Sequence, residues 1–311
     1  MTEPAQQKTI AVVIPFLNEE DNIPEMYRRL DALFATMPER GQFLFVDDGS
    51  SDGSVPWLKR QAAADPRVRV VELSRNYGHQ IAITAGMDQS DADATVIIDC
   101  DLQDPPEVIA DLAAKWREGY DVVYAVRDSR AGETWSKKFL AASFYRIFRN
   151  IIKVPIPANT GDFRLVDRKV VDALRGIREL HRFMRGLTCW VGYRQCAVHY
   201  QRAARHAGST KYPVWKSARL AFDAITSFSG APLRWITGAG MGVSVMGGLL
   251  AVYIVVSRFI WPEKVVQGWT ALAAIMLILG GIQLICIGVV GQYVSRIFEE
   301  TKKRPLYLLK K

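Results

Sequence analysis

Two stretches of this chain carry no charge at all, Trp235 to Ser257 and Val265 to Ser295. Each exceeds the ~20 residues that a helix needs to cross a bilayer. A helix that is apolar all round must be covered on every side by protein or lipid, and few soluble folds cover two in a row. The pair therefore predicts a two-helix transmembrane hairpin over 234–295, broken at Pro262. Gly238, Gly240, Gly242, Gly247 and Gly248 in the first run, and Gly280, Gly281, Gly288 and Gly291 in the second, suit close helix packing in lipid. In water the same glycines would weaken a helix.

Basic residues set the expected orientation. The connection offers Arg258 and Lys264, whereas Arg296, Lys302, Lys303, Arg304, Lys310 and Lys311 follow the second span. Lys211, Lys216, Arg219 and Arg234 precede the first. The positive-inside rule then predicts both termini and the large preceding domain in the cytosol. Residues 1–9 read as a polar tail without an apolar leader, and 296–311 as a basic cytosolic tail. In the juxtamembrane segment 206–233, Trp215, Ala218, Phe222 and Ile225 recur at helical spacing, opposite Lys216, Arg219, Asp223 and Thr226. That pattern predicts an amphipathic helix lying in the headgroup plane.

Composition excludes other classes. At 49% apolar and 23% charged, the chain is neither disordered nor collagen-like. Its four cysteines form no CxxC pair, which argues against a disulfide scaffold or a structural zinc site. The excess of 40 Lys+Arg over 32 Asp+Glu suits anionic lipid, and no nucleic-acid partner is expected.

Residues 10–205 alternate short apolar runs with amphipathic segments. Ile10–Ile14, Phe43–Val46, Val68–Leu73, Ala94–Ile98 and Val122–Val126 read as buried strands. Asn22–Phe34, Val55–Ala63, His79–Met87 and Pro106–Glu118 read as crossover helices. The series predicts an α/β, Rossmann-like domain with a mostly parallel sheet and ligands beyond the strands' carboxyl ends.

Those ends are acidic. They read Asn18-Glu19-Glu20, Asp47-Asp48-Gly49-Ser50, and Asp99-Cys100-Asp101-Leu102-Gln103-Asp104. Three such clusters on one sheet edge repel one another unless a cation sits among them. Asp99 and Asp101, two apart past a strand end, can face one side of a turn. Hard oxygen ligands of this kind suit Mg²⁺ or Mn²⁺, with Gln103 able to complete the shell. Cys100 between them is expected to be a packed residue, since thiolates prefer softer metals.

These motifs, with Ser74-Arg75-Asn76-Tyr77-Gly78 and Asn159-Thr160-Gly161-Asp162-Phe163-Arg164-Leu165, resemble family-2 glycosyltransferases of the GT-A fold. More narrowly they resemble the polyprenyl-phosphate glycosyltransferases, such as the bactoprenol glucosyltransferases. The resemblance implies a bacterial inner-membrane, multi-pass enzyme, tetrameric in related cases. It would move a sugar, with inversion, from a UDP-sugar donor to the phosphate of a polyprenol. Glucose is the expected sugar, with galactose, an N-acetylhexosamine, aminoarabinose or mannose from GDP-mannose as alternatives.

The resemblance also assigns residues. Asp101, Gln103 and Asp99 would hold the Mg²⁺ or Mn²⁺. Pro15, Asn18, Glu19, Asp47, Asp48, Asn76 and Asp99 would form the donor site. Arg127, Arg164, Arg205 and Lys211, with Ser209, would hold the acceptor phosphate. Asp162 would orient Arg164 or act as general base, the orienting role being favoured because a lipid phosphate is already ionised. His79, His181, His199 and His206 follow no ligand spacing and read as structural or surface residues. A processive polysaccharide synthase is disfavoured, because no Gln-x-x-Arg-Trp motif is present. A nucleotide-sugar sensor or membrane scaffold without catalysis is the reading from another class, and the intact acidic and basic sets speak against it.

Overall fold

The computed structural model describes residues 7–128, 157, 160–201, 231–260 and 269–310. They fall into two units, one holding the sheet and the C-terminal Pro305–Lys311, the other holding two long helices.

The sheet has seven strands: β1 (Thr9–Phe16), β2 (Arg40–Asp47), β3 (Val68–Glu72), β4 (Ala94–Ile97), β5 (Val122–Arg127), β6 (Thr160–Asp167) and β7 (Gln195–Tyr200). Their order is β3-β2-β1-β4-β6-β5-β7. The first four run parallel, β6 runs antiparallel between β4 and β5, and β7 lies parallel to β5. β1 is central, and its alternate residues serve two cores. Ile10, Val12 and Ile14 face one side, packed with α1 (Ile23–Phe34), α2 (Ser54–Ala64) and α4 (Ile109–Arg117). Ala11 and Val13 face the other, packed with Ala82 and Ala85 of α3 (His79–Asp88). A strand buried on both faces reads as an unbroken apolar run, which is why β1 is visible in the sequence. Gly86 brings α3 down onto β1, since a Cβ there would sit 2.3 Å from Val13 Cγ1.

Two strands escape the hydrophobic pattern. β6 is interrupted by Gly161, Asp162 and Arg164, and β7 is a short, half-buried strand at the sheet's edge. α5 (Arg168–Gly176) follows β6 directly, capped by Asp167, whose side chain accepts from the Lys169 amide. α6 (Met184–Trp190) follows α5.

The second unit contains α7 (Ala231–Ile260) and α8 (Trp269–Thr301). Among the described residues one helical segment, Leu279–Thr301, is long and apolar enough to cross a membrane by length and composition. Its surface exposes Leu284, Ile285, Ile287 and Phe298. In α7 the apolar stretch found over the described residues is Trp235–Leu250. Among the described residues one segment of the expected pair thus qualifies. Among the described residues the glycines of both helices mark no contact, since a Cβ at any of them would meet no atom within 4 Å. The expected amphipathic helix of 206–233 lies, apart from its last residues, outside the described residues.

The basic tail divides. Thr301 ends α8, whereas Pro305–Lys311 belongs to the sheet unit. Leu309 bridges Leu73 in antiparallel fashion, and Tyr307 packs against the core beside α3.

Candidate functional site

The loops at the carboxyl ends of β1, β2 and β3 are tied together through their polar side chains. Asn18 takes a left-handed conformation, φ 56°. Its amide donates to Ser50 Oγ (2.9 Å), and its Oδ1 accepts from the Ser51 amide (2.8 Å). The Glu19 amide donates to Ser54 Oγ, and Glu19 Oε2 accepts from Asn22 Nδ2. Asp47 Oδ1 accepts from the Ser50 amide (2.8 Å). Asp48 accepts from the amides of Tyr77 (2.7 Å) and Gly78 (3.0 Å), so it holds the turn that leads into α3. Burial pushes the Asp48 carboxyl upward, against the pull of those two amides. Gly49 has φ 90°, and a Cβ there would lie 2.9 Å from the Asn76 amide nitrogen, so only glycine lets the two loops meet. Of the expected donor residues, Pro15, Asp47 and Asp48 are therefore buried framework, Glu19 is half-buried, and Asn18 and Asn76 stand exposed at the rim.

The antiparallel register of β4 and β6 decides the centre of the site. Ile97 pairs with Arg164. Carried two residues further, that register sets Asp99 opposite Asp162, which lie far apart in sequence. His79, the first residue of α3, stands between them. Its Nε2 is 3.4 Å from Asp99 Oδ1 and 3.5 Å from Asp162 Oδ2. Gln80 Nε2 donates to Asp162 Oδ2 (3.0 Å), while its Oε1 accepts from the Met184 amide (2.8 Å). Asp99 Oδ1 and Asp162 Oδ1 are shut off from water and accept no hydrogen bond.

The two carboxyls are driven apart in acidity. Burial raises Asp99 to about 6, with Asp162, Asp104 and Asp101 adding to the rise and His79 opposing it. Burial also acts upward on Asp162, but His79, Arg185 and Arg164 outweigh it and hold that carboxyl well below the usual range. Burial pulls His79 down, and Asp162, Asp99 and Asp48 lift it further, so its net shift is upward. A carboxylate held as low as Asp162 is a poor base.

Beyond β4, Leu102 takes φ 58°, and Asp101 Oδ1 accepts from the Gln103 amide (3.1 Å). A leucine in this conformation stores of order 1–3 kcal/mol of strain, which a functional turn can hold. Asp104 is completely buried, accepting from Tyr200 Oη and from Arg127 Nη2 (3.1 Å). Arg127 also donates to Tyr200 Oη and lies over Gly161, where a Cβ would sit 2.5 Å from its Nη2.

Arg164 requires a correction. Its side chain is fully buried, and its nitrogens donate to the Gly161 and Asp162 carbonyls and to Thr188 Oγ1. It cannot meet a lipid phosphate as expected, because every direction it points is occupied by protein. Asp162 does not orient it through its carboxylate either, since the bond runs to the Asp162 backbone. A partly exposed cation beside Asp162 is Arg185 of α6, about a quarter exposed, with Nη2 3.7 Å from Asp162 Oδ1. Arg205, Ser209 and Lys211 lie outside the described residues.

Residues 11–175 match the family model for glycosyl transferase family 2. The chain belongs to that family. It is 47% identical over 301 residues to the uncharacterized glycosyltransferase YkcC of Bacillus subtilis, covering 97% of this chain and 93% of the other. It is 39% identical over 302 residues to the bactoprenol glucosyl transferase of Shigella phage SfII, covering 97% of each. Among solved structures it resembles the mannosyltransferase PcManGT of Pyrobaculum calidifontis, in complex with GDP-Man and Mn²⁺, at TM-score 0.46 and 18% identity over 84% of this chain and 89% of that one.

This family-2 glycosyltransferase thus gathers its polar centre partly from Asp99 and Asp162, which the sequence singles out, and partly from residues that it does not. His79 carries no motif spacing, and its role as the bridge between two acidic residues follows only from α3 starting where β4 ends and β6 begins. Gln80, Arg185 and Tyr200 are likewise placed by packing. The one available signal was Gly78, whose φ of 96° presents the His79-Gln80 end of α3 to the strand termini. Among the described residues no group of three or more His, Cys, Asp or Glu is gathered to hold a metal ion. Asp99 and Asp101 still fit one. Their oxygens are hard donors, and the orphaned Asp99 Oδ1 is a buried acceptor without a proton to receive.

Proposed function

We propose that this glycosyltransferase moves glucose, with inversion, from UDP-glucose to the phosphate of undecaprenol at the cytosolic face of the bacterial inner membrane. The carrying observation is the pair of buried, unsatisfied carboxylate oxygens of Asp99 and Asp162 at the strand ends, bridged by His79. Such a centre suits a reaction in which a diphosphate leaves. Support for the acceptor and sugar comes from the full-length similarity to bactoprenol glucosyl transferases. Support for a membrane setting comes from the apolar segment Leu279–Thr301, with α7 as a second span.

Asp101, Asp99 and Gln103 would hold Mg²⁺ or Mn²⁺. The ion would supply neutralisation of the charge that develops on the leaving diphosphate. Asn18, Glu19 and Asn76 would edge the nucleoside pocket, whose floor is set by Pro15, Asp47 and Asp48. Arg185 takes the place first given to Arg164 on the acceptor side, with Arg127, Arg205, Ser209 and Lys211. The acceptor phosphate arrives ionised, so these cations position it and no base is needed. Asp162, held ionised, orients His79 and Arg185. In this reading the subunits assemble as a homotetramer.

The test is a donor screen of purified protein with undecaprenyl phosphate and Mg²⁺ or Mn²⁺, with the lipid product read by mass spectrometry. The expected product is undecaprenyl-phosphate-linked hexose from UDP-glucose. A different sugar on the lipid corrects the donor. Binding of UDP-sugars with no transfer from any of them would overturn the enzymatic reading of this site.

A further inference from the structure

The C-terminal segment touches the donor side of the sheet unit in four places. Leu309 bridges Leu73 beside the edge strand β3. The Ser74 amide donates to the Leu308 carbonyl (2.8 Å), and the Lys310 amide donates to the Glu72 carbonyl (2.8 Å). Tyr307 Oη donates to Asp88 Oδ2 (3.0 Å), and its ring packs on the core that includes Leu73, Ala82 and Ala85. Burial and the Asp88 carboxylate raise the Tyr307 hydroxyl to about 12, so it remains a donor at neutral pH.

These contacts bracket one piece of chain. Glu72 and Ser74 open the loop that carries Asn76, Tyr77 and Gly78, and Asp88 closes α3, which begins with His79 and Gln80. The middle of the loop is held from the other side by Asp48 and Gly49. Ser74, Arg75 and Asn76 are exposed, while Tyr77 packs on the same core as Tyr307; the local contacts include Ser74 Oγ to Tyr77 Oη (3.0 Å), Arg75 Nη1 to the Asn76 carbonyl, and the Arg75 guanidinium over the Tyr77 ring.

We infer that Tyr307, Leu308 and Lys310 are positioning residues for the sugar-nucleotide site, acting through the 74–80 segment, which lies between the points they hold at Glu72–Ser74 and at Asp88. The inference rests on the donor assignment above for the identity of its ligand, but not for the clamp itself. A strap that only protected the β3 edge would change stability alone. A strap that sets Asn76 and His79 changes how the donor is bound while leaving the acceptor side untouched. The same segment continues directly from α8 in sequence, so the anchor helix and the donor pocket are joined by a short stretch of chain.

The test uses full-length protein in detergent. Lys310→Pro removes the amide that bonds Glu72, and Tyr307→Phe removes only the hydroxyl on Asp88. Lys302→Ala serves as a charge control outside the strap. Hydrogen exchange over residues 74–80 is measured without any ligand, then UDP affinity by calorimetry, then KM for donor and acceptor separately. Both strap variants should speed exchange and raise the donor KM about threefold to tenfold, the range one hydrogen bond supplies. The acceptor KM should stay within about twofold of wild type. Unchanged exchange, a drop in melting temperature alone, or equal movement of both KM values would overturn the inference. If the wild-type protein binds no UDP, the donor assignment fails, and the exchange result still decides whether the strap sets this segment.

Discussion

Replacing Asp99 by Asn should stabilise the metal-free protein while abolishing its activity. The Asp99 carboxyl sits at about 6 instead of its ordinary 3.8. A shift of about two units is worth roughly 3 kcal/mol at ~1.36 kcal/mol per unit. Nearly a third of the side chain meets solvent, 31% by area, so screening cuts the figure to about 1–2 kcal/mol. The sign follows from proton linkage. The folded state holds this proton more tightly than the unfolded chain, so ionising Asp99 costs stability above about pH 6. Asparagine has the shape of the neutral form and never incurs that cost. Near neutral pH, with chelator present, the variant should melt about 2–6 °C higher than wild type. The gap should shrink as pH falls below about 6 and close only well below the ordinary value of 3.8, where Asp99 is protonated in both states. Transfer should be lost at every pH, because the neutral amide cannot balance a cation. Thermal unfolding of the detergent-purified protein at neutral and acidic pH is the assay. A variant that melts lower than wild type at neutral pH, or a gap that ignores pH, would show that Asp99 is not a strained carboxylate.

Four further outcomes are expected. Asp101→Ala, like addition of excess chelator to wild type, should eliminate transfer without lowering the melting temperature, because the side chain is half-exposed. Arg164→Met should cost about 3–5 kcal/mol by chemical denaturation, since it removes a fully buried cation beneath Asp162; a folded variant with only a raised acceptor KM would return Arg164 to the acceptor site. Arg185→Ala should keep the fold and raise the acceptor KM about tenfold, with a smaller effect on the donor, in line with loss of one charge-assisted contact; steady-state kinetics with each substrate varied decides it. Gly86→Ala should lose about 1–3 kcal/mol in a denaturant titration, because its Cβ would press on Val13 Cγ1 at 2.3 Å.

The parallel half of the sheet could be read directly, because β1, β2 and β4 are buried on both faces and leave continuous apolar runs. β6 could not. Its Gly161, Asp162 and Arg164 look like a loop motif, and their place in a strand depends on pairing with β4 and β5. The acidic strand ends were legible for the same reason as the strands: turn residues after an apolar run stand out. The arginines were not, because a positive charge looks the same in sequence whether it reaches solvent, as Arg185 does, or lies sealed among carbonyls, as Arg164 does.

What the sequence alone determined is therefore local: strand and helix periods, charge-free runs, and a chain of acidic turns belonging to family-2 glycosyltransferases. Tertiary structure decided which of those charges face each other. Asp99 follows β4, Asp162 lies in β6 and His79 opens α3, and only the antiparallel register and the start of α3 bring both carboxylates within 4 Å of His79. Register is a property of two strands at once, and burial of a charge is a property of everything packed around it. Neither is carried by the residues of one segment.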